Sequence, residues 1–140
     1  MFRIREVDGF DQAEILTELH HAAFEDSADL VDFADGWWWV AFNERVPYSP
    51  AGFIGMKAET DCTAYFIRVG VDPDYRGHGL QRRLMRAMHI KARKLCFWNI
   101  ITDTRDNPHS ANNLIAAGYR TFSPSNPWAH RDAVYWTKDL

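Results

Sequence analysis

Two glycines stand between a strand pattern and a helix pattern near the middle of this chain. Residues 64–71 are rich in β-branched and aromatic side chains, as strands are. Pro73 then predicts a turn, and an amphipathic helix pattern starts at Leu80. Between them lie Gly77 and Gly79, which allow positive φ angles and leave the start of the helix free of side chains. Any fold of this chain must therefore contain a strand, a bare turn and a helix in this order.

The turn before Leu80 is suited to binding an anion. The first amides of a helix have no acceptor within the helix, and the helix dipole adds partial positive charge there. Because glycines carry no Cβ, a phosphate can approach these amides closely. Arg76 adds a guanidinium that can donate two parallel hydrogen bonds. The sequence thus predicts a phosphate or pyrophosphate site formed mainly by backbone N–H groups.

Two common phosphate-binding motifs do not fit this turn. A P-loop needs G-x-x-x-x-G-K-[ST], and the chain contains no such string. A dinucleotide-binding G-x-G-x-x-G motif needs a glycine where this chain has Arg82, and its glycines should follow the strand directly. A glycine turn that binds no ligand is the other alternative.

Strand and helix patterns cover most of the chain. Apolar runs with alternating or β-branched character predict strands at residues 2–7, 36–44, 51–60, 64–71, 97–104, 119–124 and 133–140. Apolar residues at helical spacing predict helices at residues 11–24, 80–95 and 108–117. Residues 25–36 are acidic and weakly periodic, as in a loop or a short further helix. Because strands and helices mix without regular β-α-β alternation, we expect an α/β fold with a mixed sheet and helices on both faces.

Local signals refine these boundaries. Asp11 followed by Glu14 resembles a capping box at the start of the first helix. Asn107, which precedes a proline, is a predicted N-cap, and Gly118 is placed to end that helix. Gly70 within its strand indicates a bulge or a close backbone approach.

Length and composition exclude several classes of protein. With 140 residues, we expect a single domain over residues 1–140. Two cysteines without a redox or metal spacing indicate a reducing compartment. The N-terminus lacks the apolar segment of a signal peptide, and no apolar run is long enough for a bilayer, so we expect a cytoplasmic protein with no membrane partner. The six histidines have no ligand spacing, so we expect no metal.

Basic side chains are concentrated between Arg76 and Lys94. Such a stretch can bind nucleic acid, but it is more often the solvated face of a helix. The formal net charge of −3 argues against a nucleic-acid partner, so none is expected.

The extended pattern around the two glycines is more specific than either glycine alone. Residues 71–84 read V-x-P-x-x-R-G-x-G-L-x-x-x-L, which resembles the acetyl-CoA signature of the GNAT superfamily of N-acetyltransferases. The family pattern [Q/R]-x-x-G-x-[G/A] falls on Arg76, Gly79 and Gln81, where Gln81 departs from the usual Gly or Ala. The resemblance implies acetyl-CoA as cofactor and a mostly antiparallel sheet whose strands splay apart at the cofactor site. The cofactor residues implied in this turn are Arg76, Gly77, His78, Gly79, Leu80 and Gln81.

Two further segments are similar to the same family. Asn107, Ser110 and the pair Gly118–Tyr119 match an N-x-x-[AS] helix that ends in G-[FY]. In the family, the asparagine and serine face the pantetheine and pyrophosphate arms, although Asn107 can also be only an N-cap. Where the strands splay, the free amides of Val69 or Val71 are expected to bind pantetheine and to polarise the thioester carbonyl.

The resemblance implies transfer of an acetyl group to a primary amine of a small molecule or peptide, by direct attack in a ternary complex. The amine must lose a proton, and Asp61 is the candidate base, with Glu59 and Tyr65 as competitors. The family's usual acid, a tyrosine, falls on Leu114. Other candidates for protonating the thiolate are Ser110, as acid or thiol contact, Tyr119 and water.

Several alternatives follow from these departures. Without the tyrosine, the domain could bind acyl-CoA as a sensor or scaffold and transfer nothing. The acceptor is not identified by the sequence, and a homodimer is possible. Trp37, Trp38 and Trp39 alternate along a strand and so cannot all face one core. Trp128 could form a wall of the acceptor site or simply pack.

Overall fold

The computed structural model of the protein describes residues 1–25, 27–46 and 48–140. Within these residues, one sheet contains the strands β1 (Phe2–Val7), β2 (Trp37–Asn43), β3 (Ser49–Ala58), β4 (Thr63–Val71), β5 (Asn99–Thr104), β6 (Arg120–Phe122) and β7 (Val134–Asp139). The helices are α1 (Ala13–Phe24), α2 (Leu80–Lys94) and α3 (Pro108–Ala116), and Pro73–Tyr75 form a short 3-10 turn.

The sheet is mixed and mostly antiparallel. Its strand order is β1-β2-β3-β4-β5-β7-β6, and β4 and β5 form the parallel pair at its centre. Helix α1 packs on one face, while α2 and α3 pack on the other. The predicted fold class is confirmed. In the described part of residues 25–36 there is no further helix, and Asp26 lies outside the described residues.

Two apolar clusters lie on opposite faces of the sheet. The larger one joins Leu84 and Met88 of α2 to Trp39 and its neighbours, and the smaller one joins Leu16 of α1 to Trp38. The three tryptophans of β2 thus alternate between the faces as predicted. Trp38 is fully buried, as are several residues of both clusters. A side chain of this kind stabilises the fold by roughly 2–3 kcal/mol when fully buried.

Strand β4 contains a bulge at Ile67. Gly55 pairs with Arg68 and Met56 with Phe66, so Ile67 is the extra residue. The sequence pointed instead to Gly70, but Gly70 pairs regularly with Phe53. The sequence also allowed a close backbone approach at Gly70, and the structure shows one. A Cβ at Gly70 would lie 2.6 Å from the Phe53 ring.

The parallel pair β4–β5 is short. Only Thr63–Tyr65 of β4 pair with Asn99–Ile101 of β5. Beyond these residues β4 pairs with β3 alone, and β5 pairs with β7 alone. The two strands therefore separate towards their C-terminal ends, as the resemblance implied, and leave a gap in the middle of the sheet.

The helix caps only partly agree with the sequence. The capping box predicted at Asp11 and Glu14 is wrong: α1 follows Gln12, which makes no side-chain cap. Asp8 Oδ1 instead accepts from the amides of Phe10 and Asp11, and this turn delays the helix. At α3 the prediction is confirmed, since Asn107 Oδ1 accepts from the Ser110 amide at 3.1 Å. Gly118, with φ of 90°, follows the end of α3.

Among the described residues, no helix combines the length and the apolar character needed to cross a membrane.

Candidate active site

A cavity of 620 Å³ lies where the end of β4 meets the first residues of α2 and α3. Its volume is in the usual range for small-molecule sites. The residues predicted from sequence to bind the cofactor that line it are Val69, Val71, Arg76, Gly77, Gly79, Leu80, Gln81, Asn107 and Ser110. Residues from three separate segments of the chain thus come together as expected.

The turn before α2 leaves its amides exposed to this cavity. Gly77 and Gly79 have φ angles of 84° and 70°, and an added Cβ at either would meet no atom within 4 Å. Within the described chain, the amides of residues 77–82 donate to no protein acceptor, and the first helical bond runs from Arg83 N to Gly79 O at 3.2 Å. Open space and unpaired donors together form a cradle for an anion.

His78 is the predicted residue that does not line the cavity. Its ring packs on Phe2, with the ring centroids 5.2 Å apart. Phe2 also contacts the ring of Tyr75 edge-on at 5.7 Å, and its carbonyl accepts from Arg83 Nη2. The His78 side chain therefore ties the turn to β1, and only its backbone amide is available for a ligand.

The gap edge of β4 also carries free donors. Asp72 N–H donates to Ala51 O of β3 at 2.8 Å, and Gly70 pairs with Phe53 two residues earlier in the same ladder. Successive amides of a strand point to opposite edges, so Gly70 also points to β3. The amides of Val69 and Val71 consequently point into the gap. This direction is the one that their predicted backbone role requires.

A second cavity, of 480 Å³, continues from the first through the gap between β4 and β5. Both cavities are lined by Phe24, Val69, Gln81, Asn107 and Ser110. We call the first cavity the cofactor cavity and the second the acceptor cavity.

A carboxylate held by two donors lies in the acceptor cavity. Asp103 Oδ1 accepts from the Tyr65 hydroxyl at 2.7 Å and from Trp128 Nε1 at 2.8 Å. Burial, and then the bond to Asp103, raise the pKa of Tyr65 well above its usual value. Tyr65 therefore acts as a donor to Asp103 and is a poor candidate for a base. Trp128, from the loop before β7, thus holds the Asp103 carboxylate in place through this hydrogen bond.

Arg68 is the second charged side chain fixed in the acceptor cavity. One of its nitrogens, Nη1, lies 2.8 Å from His20 Nε2 and donates to the Asp29 carbonyl. Its guanidinium also lies 5.6 Å from the Phe24 ring. Burial, and then the charge of Arg68, lower the pKa of His20. Because arginine only donates, neutral His20 accepts at Nε2 and carries its proton on Nδ1.

Residues 3–119 match the profile of the acetyltransferase (GNAT) family. The chain belongs to this family. No curated protein sequence matches the chain.

Solved acetyltransferase structures share the fold over nearly the whole chain. An acetyltransferase from Streptococcus agalactiae has 21% identity and a TM-score of 0.76, and covers 99% of this chain and 98% of its own. An acetyltransferase from Bacillus subtilis in complex with CoA has 20% identity and a TM-score of 0.78, over 100% and 99% of the two chains. The PaiA N-acetyltransferase of Thermoplasma acidophilum in complex with coenzyme A has 12% identity and a TM-score of 0.77, with the same coverage.

The remaining candidates for the GNAT chemistry lie in different places. Asp61 and Glu59 lie in the exposed turn before β4, at the end of the strand away from Val69, and line neither cavity. The structure therefore does not bring the predicted base Asp61 to the cleft. Tyr119 is buried in the core, where its hydroxyl and His89 Nε2 lie 2.7 Å apart, and it too lines neither cavity.

Leu114, at the position of the usual GNAT tyrosine, lines the acceptor cavity and is buried. Ser110 has the only hydroxyl that lines both cavities among the described residues. Also within those residues, His, Cys, Asp and Glu side chains form no group of three that could hold a metal ion.

Asp103 and Arg68 were missed at the level of sequence. Asp103 had one usable signal, because it is a carboxylate at the end of an otherwise buried strand. Arg68 had no such signal, because the direction of its side chain depends on the bulge at Ile67.

Proposed function

We propose that this protein is an acetyl-CoA-dependent N-acetyltransferase that acetylates a primary amine by direct transfer within a ternary complex. The observation that carries the proposal is the continuous cleft, with free backbone amides along the cofactor cavity and fixed charged side chains in the acceptor cavity. Acetyl-CoA, when bound, supplies the acetyl group as a thioester.

The cofactor cavity fits this cofactor through its main chain. The amides of residues 77–82, together with Arg76, would hold the pyrophosphate at the start of α2. The amides of Val69 and Val71 would pair with the pantetheine arm and donate to the thioester oxygen. Such fixed donors act where negative charge develops, and each is commonly worth about 2.7–4 kcal/mol in catalysis.

The transfer requires a neutral amine in the acceptor cavity. The amine nitrogen forms the new C–N bond, the C–S bond breaks, and the sulfur keeps the electron pair. The proton lost by the amine passes to Asp103 or to water, and the sulfur is protonated by water beside Ser110. A thiol with a pKa of about 8.5 leaves without a dedicated acid, so Leu114 at the tyrosine position does not prevent the reaction.

Leu114 does favour a second candidate, a domain that binds acyl-CoA and transfers nothing. The two candidates separate when the protein is mixed with acetyl-CoA and a panel of primary amines while free thiol is followed. Calorimetry with CoA alone is run in parallel. We expect CoA binding together with amine-dependent thiol release. CoA binding with no thiol release for any amine would establish the sensor and reject the transferase.

A further inference from the structure

We infer that the acceptor is a small amine that also carries a carboxylate, an amino acid or a close analogue, bound between Asp103 and Arg68. The inference rests on the proposed transferase function and names its substrate class. In this arrangement Asp103 holds the ammonium, and Arg68 holds the carboxylate of the same molecule.

Two opposite charges line one cavity here without pairing. Asp103 and Arg68 both line the acceptor cavity and are half-buried. They form no ion pair with each other, and Arg68 forms none with any other carboxylate of the described residues. Half-buried charges lose hydration, and the hydrogen bonds described above offset only part of this loss, so a counter-charge further stabilises each group. A zwitterion supplies both counter-charges at once.

The hydrogen bonds of Asp103 leave one side of the carboxylate available. Tyr65 and Trp128 both donate to Oδ1, and no described residue donates to Oδ2. Tyr65 and Trp128 also contact each other edge-on, with ring centroids 6.1 Å apart. The carboxylate is thus held rigidly by one oxygen and can accept an ammonium N–H with the other.

Arg68 is directed to the acceptor cavity by the bulge in β4. Side chains alternate along a strand, but a bulge places two consecutive residues on one face. Ile67 packs in the cluster with α1, and Arg68 contacts His20 of the same helix. Since His20 and the Asp29 carbonyl both contact Nη1, the described contacts of the guanidinium leave Nη2 and Nε for a ligand.

The same charges disfavour other amines. A polyamine would place a second cation near Arg68, and like charges repel. A lysine side chain within a peptide would bring no carboxylate to Arg68 and would leave that half-buried charge without a counter-charge from the substrate. The amine with its own carboxylate is the class that satisfies both residues.

Asp103 would act as the proton acceptor in this transfer. Asp103 Oδ2, directly or through water, accepts a proton from the ammonium, and the neutral nitrogen attacks the thioester carbon. The C–N bond forms, the C–S bond breaks, and the sulfur takes the electron pair. The second proton of the nitrogen passes through water to the sulfur, and Asp103 later returns its own proton to solvent. The products are the N-acetyl amino acid and CoA. Because the amide product is no longer cationic, it loses its attraction to Asp103, which favours release.

The first test compares matched acceptors. Acetyl-CoA and protein are mixed with the twenty proteinogenic amino acids, and separately with their carboxamides and with simple alkylamines, while free thiol is followed. We expect the best free amino acid to exceed its own carboxamide in kcat/KM by roughly a hundredfold, because a built charge site rejects the analogue that lacks the charge. Carboxamides or alkylamines that react as fast as the free acids would overturn the inference while leaving the transferase proposal intact.

The second test uses variants. Arg68→Gln should reduce the preference for the free acid over its carboxamide to roughly threefold or less, mainly through KM, since the paired charge is gone. Arg131→Gln removes an exposed arginine that lines neither cavity and should keep the preference. CoA affinity, measured by calorimetry, should be unchanged in both. A preference that survives in Arg68→Gln overturns the inference, and an absence of thiol release in the wild type with every amine rejects the transferase and the inference together.

Asp103→Asn tests the site proposed for the ammonium group of the substrate. The variant should lower kcat/KM for the best amino acid by roughly a hundredfold, because the ammonium loses its carboxylate partner. Asp11→Asn, which changes an exposed carboxylate that lines neither cavity, is the matched control and should change it little. Full activity in Asp103→Asn would show that Asp103 does not bind the ammonium group and would overturn the inference.

Discussion

The two cavities of the cleft are built from different parts of the chain. The cofactor cavity presents backbone amides, from residues 77–82 and from the gap edge of β4. The acceptor cavity presents side chains, chiefly Asp103 and Arg68, each fixed by partners from other elements. Amide donors are the same in every sequence, whereas fixed side chains can change with the substrate. The first half is therefore suited to a common cofactor and the second half to a particular acceptor.

The largest expected effect comes from breaking the cofactor half alone. Gly79→Asp adds a Cβ and a negative charge where the pyrophosphate would lie, at a φ of 70° that side chains rarely adopt. We expect CoA affinity to fall roughly a thousandfold, because a charge-assisted contact becomes a repulsion. Calorimetry measures the affinity, and circular dichroism confirms that the fold is kept.

The matched control for Gly79→Asp is Asn112→Asp, which adds the same charge to the exposed face of α3 and lines neither cavity. This variant should bind CoA normally. Wild-type affinity in a folded Gly79→Asp protein would contradict the assignment of the cofactor half.

Acid should lower the stability of the core around His89, which is buried beside Tyr119. Burial, and then the charges of Lys138 on β7 and Arg93 on α2, lower the pKa of His89 to about 4. In the unfolded chain the value is about 6.5, so the unfolded state binds this proton more readily. The stability from neutral His89 is complete above pH 6.5 and is lost as the pH falls towards 4, by about 3 kcal/mol in all.

Urea unfolding at several pH values measures this loss. His89→Gln removes the titrating group and should flatten the dependence between pH 6.5 and 4 relative to the wild type. An equal slope in the two proteins would show that His89 does not contribute.

A smaller effect is expected from a change that affects only the acceptor cavity. Tyr65→Phe removes one of the two donors to Asp103 Oδ1 and leaves the ring in place. We expect kcat/KM for the acceptor to fall about tenfold, the usual cost of one charge-assisted hydrogen bond. CoA affinity should not change, and a parallel loss of CoA affinity would mean that the halves are not independent.

The smallest effect is expected at the junction of the two cavities. Ser110→Ala removes the hydroxyl that lines both, while its amide can still bond Asn107. If water protonates the thiolate, kcat should fall only about two- to threefold, since a thiol is a tolerable leaving group. A loss of a hundredfold or more in single-turnover kinetics would instead identify Ser110 as the acid.

Most of the residues that line the cofactor cavity could be predicted from the sequence, for a physical reason. A turn that must expose amides needs residues without Cβ atoms at fixed positions, and this need is visible as the spacing of Gly77, Gly79 and Leu80. The N-cap at Asn107 is equally local, because it joins atoms three residues apart.

The acceptor half depends on contacts that no local pattern contains. Asp103 and Tyr65 are separated by 38 residues and meet because β4 and β5 are parallel neighbours. Arg68 faces the cavity because of a bulge at Ile67, where no glycine marks it. The capping box at Asp11 failed for a local reason, since Asp8 Oδ1 accepts from the Asp11 amide that Glu14 would have bonded.

The three residue pairs that join β4 to β5 leave the centre of the sheet weakly connected. A pantetheine arm lying along the free edge of β4 would serve as a partial extra strand. Binding would then be linked to folding by mass action, and a hundredfold excess of CoA over its Kd would add about 2.7 kcal/mol to the free energy of unfolding. Cells that lower their CoA pool would thereby also lower the resistance of this protein to heat and proteolysis.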